Sequence, residues 1–132
     1  MNGAKAGAIA ALVWAAAEPL DRRLLRHDYS DVAVLGKAVT RSRAWPLVGL
    51  AMHAANGAVF GVAYEQVRRR GTSAVTMALA EHTVLFPLGA AVDRRHPARG
   101  TKGVASMWSK RAFAQATFRH LLFGALLGHL TD

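Results

Sequence analysis

The sequence predicts an all-α fold, a four-helix transmembrane bundle made of two hairpins. Three observations carry this reading. Four long apolar stretches alternate with charged, Pro-containing or Gly-containing connections. None of the stretches shows the strict alternation of a half-buried strand. Lys and Arg are spread unevenly between alternate connections.

The chain of 132 residues is one domain's worth, and it has no cysteine. Disulfides and thiolate metal sites are therefore excluded. The net charge of +9 is large for this length. Charge of that sign suits nucleic acid, anionic lipid or the cytoplasmic flanks of membrane helices.

The elements follow in order, as helices over about 4–24, 45–68, 72–93 and 107–130. A hydrocarbon core about 30 Å thick needs roughly 20 helical residues, which the last three supply. The first is shorter in apolar length, because Lys5 and Asp21 bracket it. Residues 1–17 allow a second reading: a basic residue, a short apolar core and Ala15–Ala17 resemble a leader cleaved after Ala17. Between the first two helices, Val32, Leu35 and Val39 recur at helical spacing, so a short interfacial helix is expected over 31–41. The "RRRGT" connection at 68–72 is short, so the second and third helices are expected to form an antiparallel hairpin.

Charge orients the bundle. With four spans, the first and third connections share a face and carry twelve Lys and Arg, against four on the other face. The richer face belongs in the cytoplasm, which puts both termini outside. Trp45 and Trp108 fall near the cytoplasmic edge, where aromatic anchors belong. The bilayer is then the main partner, and the basic connections attract anionic lipid headgroups. Alternation of charge with long apolar runs argues against nucleic acid. A soluble basic helical bundle that binds nucleic acid is the contrasting reading.

The two halves share landmarks in one order. Glu18, Pro19-Leu20, Asp21-Arg22-Arg23 and His53-x3-Gly57-x3-Gly61 are matched by Glu81, Pro87-Leu88, Asp93-Arg94-Arg95 and His120-x3-Gly124-x3-Gly128. An internal repeat of two parallel hairpins would produce this order. Low-complexity Ala, Gly and Leu helices can mimic it. Glycines four apart lie on one helix face and let two backbones approach closely. Gly57, Gly61, Gly124 and Gly128 are therefore read as packing positions, with Ala4, Gly7 and Ala11 as a similar face on the first helix. Such faces also suit a second copy of the chain or another membrane protein.

Packing does not explain the ionisable residues. At about 1.5 Å per residue, His53 and His120 lie roughly 12 Å in from the cytoplasmic edge, and Glu81 and His82 roughly 16 Å. Glu18 is shallower, and Asn56 is one turn beyond His53. Intramembrane groups of this kind are site candidates. Three readings stay open: an interior hydrogen-bonded network of Glu18, His53, Glu81 and His120; a carboxylate–imidazole proton or ion pathway; and a metal or haem site. In the third, His53 and His120 are ligands and Glu81 or Glu18 the oxygen donor. No cofactor is required by the sequence. Glu81 and His82 point about 100° apart on a helix, so only one is expected to face a given centre. Arg119 is expected either to snorkel to the surface or to serve as counter-ion to Glu81 or Glu18. His27 and His96 are expected to be exposed, and Tyr64 and Glu65 to have no special role. Motifs for phosphate loops, nucleophile elbows and zinc peptidases are absent.

The His-x-x-x-Gly helices and the length resemble small bacterial four-helix membrane proteins, among them the YagU-like inner-membrane family. That resemblance implies an integral protein of the bacterial inner membrane.

Overall fold

Four of the five helices begin on a polar side chain that satisfies a free backbone N–H of the first turn. The computed structural model describes all 132 residues. It is all-helical, with α1 (Gly3–Leu24), α2 (Asp31–Val39), α3 (Trp45–Arg68), α4 (Ala74–Asp93) and α5 (Lys110–Thr131). Asn2 caps α1, Ser30 caps α2, Ser73 caps α4 and Ser109 caps α5. α3 has no side-chain cap, but Pro46 sits in its first turn, where a missing N–H is harmless. The serines explain why α4 and α5 begin at 74 and 110 rather than at the expected 72 and 107. Thr40 is extended, so α2 ends at Val39 rather than at 41.

α1 is the central helix, packed between α3 and α5, and α5 packs in turn on α4. The residues that also read as a leader thus form the middle of the bundle. Ala6, Ala10, Ala11 and Trp14 of α1 join Tyr64, Ala74, Ala78, Phe123 and Leu127 in the main core. α3 and α4 scarcely touch, although only residues 69–73 join them. The expected α3–α4 hairpin is therefore corrected. The spatial order is α3–α1–α5–α4, open between its first and last members.

Glycine decides which helices approach. A Cβ on Gly57 would strike the Gly7 carbonyl oxygen, and one on Gly61 the Gly3 carbonyl oxygen. The α1 face is therefore Gly3, Gly7 and Ala11; Ala4 is not part of it. Gly124 packs on the α4 backbone, where a Cβ would lie 2.7 Å from Val75 Cα. Gly128 has room, since its Cβ would meet only the Ala74 Cβ at 3.6 Å. A further close pair, Gly36 with Gly49, brings α2 against the start of α3.

The first and third connections lie together at one end of the bundle and form a cap. Ser30 N donates to Gly103 O at 2.8 Å, Ala105 N to Asp28 O at 3.0 Å, and Gly103 N to Asp28 Oδ2 at 2.9 Å. Ala33, Ala98 and Val104 make a small core beneath them. Gly103 has φ +82°, and its missing Cβ leaves space for Ala33. At the opposite end Gly3 N donates to Glu65 Oε1 at 2.5 Å, and Arg68 Nη1 to Thr131 O at 2.6 Å. Glu65 therefore has a role the sequence does not suggest, as the anion at the N-terminus of α1. Tyr64 is buried in the core.

α3 and α4 are long and apolar enough to cross a membrane. α1 and α5 fall short of the same measure of length, hydropathy and charge. Their polar residues face each other inside the bundle, as described next.

Candidate functional site

The site grows from two adjacent residues of α5, Arg119 and His120. Arg119 is 1% exposed and does not snorkel, which corrects that expectation. Its Nε and Nη2 donate to Asp21 at 2.6 and 2.7 Å, Nη2 also to Tyr29 O at 2.8 Å, and Nη1 to Asp31 Oδ2 at 2.7 Å. Glu18 Oε1 lies 3.7 Å from Nη1. The arrangement uses the planar fork of the guanidinium, which a lysine cannot imitate. Gln115, one turn before Arg119, donates to Asp21 at 2.8 Å and to the His27 carbonyl at 3.1 Å.

Glu18 and Asp21 are three apart and share one face of α1. Glu18 also begins α2, accepting from Asp31 N at 2.7 Å and from the Ser30 hydroxyl. Asp31 Oδ2 accepts a further bond from Trp14 Nε1 at 3.1 Å. Burial opposes the Asp31 carboxylate, but the Arg119 guanidinium and the neighbouring His53 and His120 hold it below the usual carboxylate range.

His120 forms the second half. Its Nδ1 lies 2.6 Å from Ala116 O and its Nε2 lies 3.0 Å from Glu81 Oε2. A carbonyl only accepts, so Nδ1 carries a hydrogen. The Nε2–Oε2 bond then needs one proton, held either by the imidazole or by the carboxyl. The His82 ring stacks on His120, with centroids 4.7 Å apart. Thr117 donates its hydroxyl to Phe113 O, so His82 Nε2 donates to Thr117 Oγ1 at 2.9 Å. Glu81 and His82 thus meet one ring, one at its edge and one on its face. The expectation that only one of them could serve a common centre is corrected, because the flat ring presents two surfaces.

His53 stands on the α3 glycine stripe, between Gly49 and Gly57. The Trp14 ring separates it from His120, lying edge-on to both with centroids 5.2 and 4.8 Å away. The two histidines share a site without touching. His53 is buried and its Nε2 has no partner. Asn56 makes no hydrogen bond to the cluster; it lines the rim.

Asp31, His53, Glu81, His82, Arg119 and His120 line a cleft of about 300 Å³, with Glu18 and Asp21 outside its lining. Phe60, Phe86 and Phe123 line it as well, and Asn56 of α3 and Leu85 of α4 are its exposed members on those two helices. No group of three or more His, Asp or Glu stands close enough to hold a metal ion. The proposed trio of His53, His120 and Glu81 is not gathered, since Trp14 separates the histidines and Glu81 is turned to His120.

Trp14, Asp21, Asp31 and Gln115 are cluster members that the sequence reading did not single out. Their signal is spacing: Asp21 follows Glu18 by three residues, and Gln115 precedes Arg119 by four. The loop histidines also differ from expectation. His96 Nε2 meets Val34 O at 2.8 Å, and His27 is half-buried with an unpartnered Nε2. Both belong to the packed cap.

No protein family, curated protein or solved structure matches this chain.

Proposed function

We propose that the chain is a polytopic protein of a bacterial inner membrane that takes up a small solute in its cleft in a proton-linked way. In this reading α1, α3, α4 and α5 all span, the cap is cytoplasmic and the termini are outside. The observation that carries it is the pairing of a buried polar cluster beside the apolar core with large apolar side chains on the outside. Glu18, Asp21, His53, His82, Gln115 and Arg119 are buried, while Leu47, Val59, Val84, Leu88 and Val92 are 62–73% exposed. Water as solvent would favour the opposite arrangement. A hydrocarbon solvent favours this one, because each polar group must find its partner inside the protein. It also suits α1 and α5, whose Glu18, Asp21 and Arg119 are directed at each other.

The cap supports the orientation. Lys37 lies over the Trp45 ring and Arg94 over the Trp108 ring, each 4.8 Å from the centroid. Two cation-bearing tryptophans at one end suit a headgroup layer, and each basic residue there adds about 1 kcal/mol of attraction to anionic lipid.

The His120–Glu81 bond supports the proton link, since it holds a single exchangeable proton at the cleft wall. Two measurements test the reading. The protein should sediment with membranes and require detergent for release; recovery in the soluble fraction overturns it. Trp14 emission, in a W45F/W108F background, should titrate with pH as the neighbouring imidazoles gain and lose protons. Glu81→Gln should shift that titration, and an unchanged curve excludes the pair as the proton site.

A further inference from the structure

We infer that the cleft binds an amphiphilic cation, an ammonium on an apolar body, which arrives sideways between α3 and α4 and displaces the proton of the His120–Glu81 pair. The inference rests on the membrane reading above and names the ligand class of that site.

The route follows from the packing order. α3 and α4 are the two most apolar helices, they barely meet, and the cleft lies between them. Asn56 and Leu85 are its exposed members on those two helices and mark its opening, and Phe60 and Phe86 line it as well. If α3 and α4 span, that opening faces hydrocarbon, and a ligand must enter body-first from the bilayer.

Charge selects the head. Three carboxylates, Glu18 and Asp21 of α1 and Asp31 of α2, gather around one guanidinium, Arg119 of α5, and a fourth, Glu81 of α4, pairs only with the His120 imidazole. The other basic groups are the imidazoles of His53, His82 and His120, which bear charge only when protonated. Asp31 and Glu81 each have one oxygen engaged, Oδ2 and Oε2, and the other oxygen meets no protein donor. His53 Nε2 is the third open position, on a side chain only 7% exposed. A head that donates hydrogen bonds and carries positive charge satisfies these groups; a phosphate or sulfate head meets like charge. Trp14 and Phe123 also line the cleft, and aromatic rings attract cations.

The exchange balances. The His120–Glu81 pair holds one proton in the empty site. A cation beside Glu81 favours the bare carboxylate and disfavours imidazolium, so the proton leaves to solvent as the ammonium settles. One positive charge enters and one departs.

The experiment uses the full chain in nanodiscs of zwitterionic lipid, with empty discs as reference. Octylammonium, octanol and octyl sulfate are titrated by calorimetry, and proton release is read with a pH indicator in weak buffer. Octylammonium should bind saturably and release about one proton per site. It should bind at least about tenfold more tightly than octanol, the factor that 1.4 kcal/mol of charge attraction gives. Octyl sulfate should not bind. Glu81→Gln should remove the proton release and weaken octylammonium several-fold more than octanol, whose remaining binding reports an intact cleft. Leu85→Trp should slow association. Equal affinity for all three probes overturns the charge selection, and binding of octylammonium by the wild type without proton release overturns the exchange. A normal Glu81-dependent Trp14 titration with no octylammonium binding overturns this inference alone. Loss of that titration counts against the underlying function instead.

Discussion

Arg119 holds Asp21 through two parallel hydrogen bonds of 2.6 and 2.7 Å, from residues 98 positions apart in the chain. The pair fastens α5 to α1 at the capped end of the cleft; Asp31 Oδ2 and the Tyr29 carbonyl complete the ring of acceptors, and Glu18 stands beside it as an ion-pair partner. Arg119→Met would leave three carboxylates in the interior with no cation. Breaking a buried pair on one side costs about 3–5 kcal/mol, so a loss of that size is expected in detergent unfolding. Arg119→Lys should recover little, because a point charge cannot bridge Asp21 and Asp31 at once. Asp21→Asn should recover part of the loss in the Arg119→Met background. Wild-type stability of Arg119→Met would show that the carboxylates are not held by this guanidinium.

Two glycines of one motif type should behave differently. Gly61→Ala places a methyl on the Gly3 carbonyl and forces α1 off α3, an overpacking that costs about 1–3 kcal/mol. Gly128→Ala has 3.6 Å of clearance and should stay within about 0.5 kcal/mol of wild type. Melting temperatures of the two variants in the same detergent decide the matter. Equal losses would mean that the close α1–α3 crossing is not what the glycines provide.

The cap should loosen on mild acidification. Burial lowers the His27 imidazole below its ordinary 6.5, with Arg119 and Arg111 adding to the shift, while the Ser106 backbone and Asp28 oppose it. The unfolded cap therefore takes up this proton first. His27 contributes its full stability above 6.5, and the contribution falls as pH drops from there through the folded value. Protection of the Ser30 and Gly103 amides, whose bonds join the two connections, should fall between pH 7.5 and 5 once exchange is divided by the intrinsic rate at each pH. His27→Gln should flatten that dependence; an unchanged slope would point to another group.

Helix positions were legible because the apolar runs are long and their ends are marked by serine, proline or charge. Helix neighbours were not. A short connection argues for adjacency, yet α3 directs its glycines at α1 and α4 receives Gly124 of α5, so close approach overrides the 69–73 link. His53, His120, Glu81 and Glu18 were visible as polar residues in apolar runs. Asp21 was hidden because it reads as the charge that closes the apolar run of the first helix; α1 runs to Leu24, as expected, and turns Asp21 inward. Gly36 was hidden because it has no partner four residues away; its partner, Gly49, is on another helix. Arg119 looked like a surface anchor because a lone arginine near a membrane edge usually is one. Only the convergence of α1, α2 and α5 supplies the three carboxylates that keep it inside.

Trp14 is the hinge between the two halves of the site. Its Nε1 bonds Asp31 while its ring separates His53 from His120. Trp14→Phe keeps an aromatic wall and removes the donor, so it isolates the hydrogen bond from the packing. A bond to a charged acceptor contributes about 1.5–3 kcal/mol, and a loss near the lower end is expected because Arg119 still holds the same Asp31 oxygen. Asp31→Asn weakens both bonds and should cost more. In the double variant the Trp14 loss should largely disappear, since its partner is already compromised, and that shortfall from additivity is the measurement. Trp14→Phe should leave α2 in place, because Gly36 and Gly49 hold it against α3 independently. Fully additive losses would mean that Trp14 acts through its ring alone, and that the link from the capped Arg119 cluster to the histidine side runs through packing.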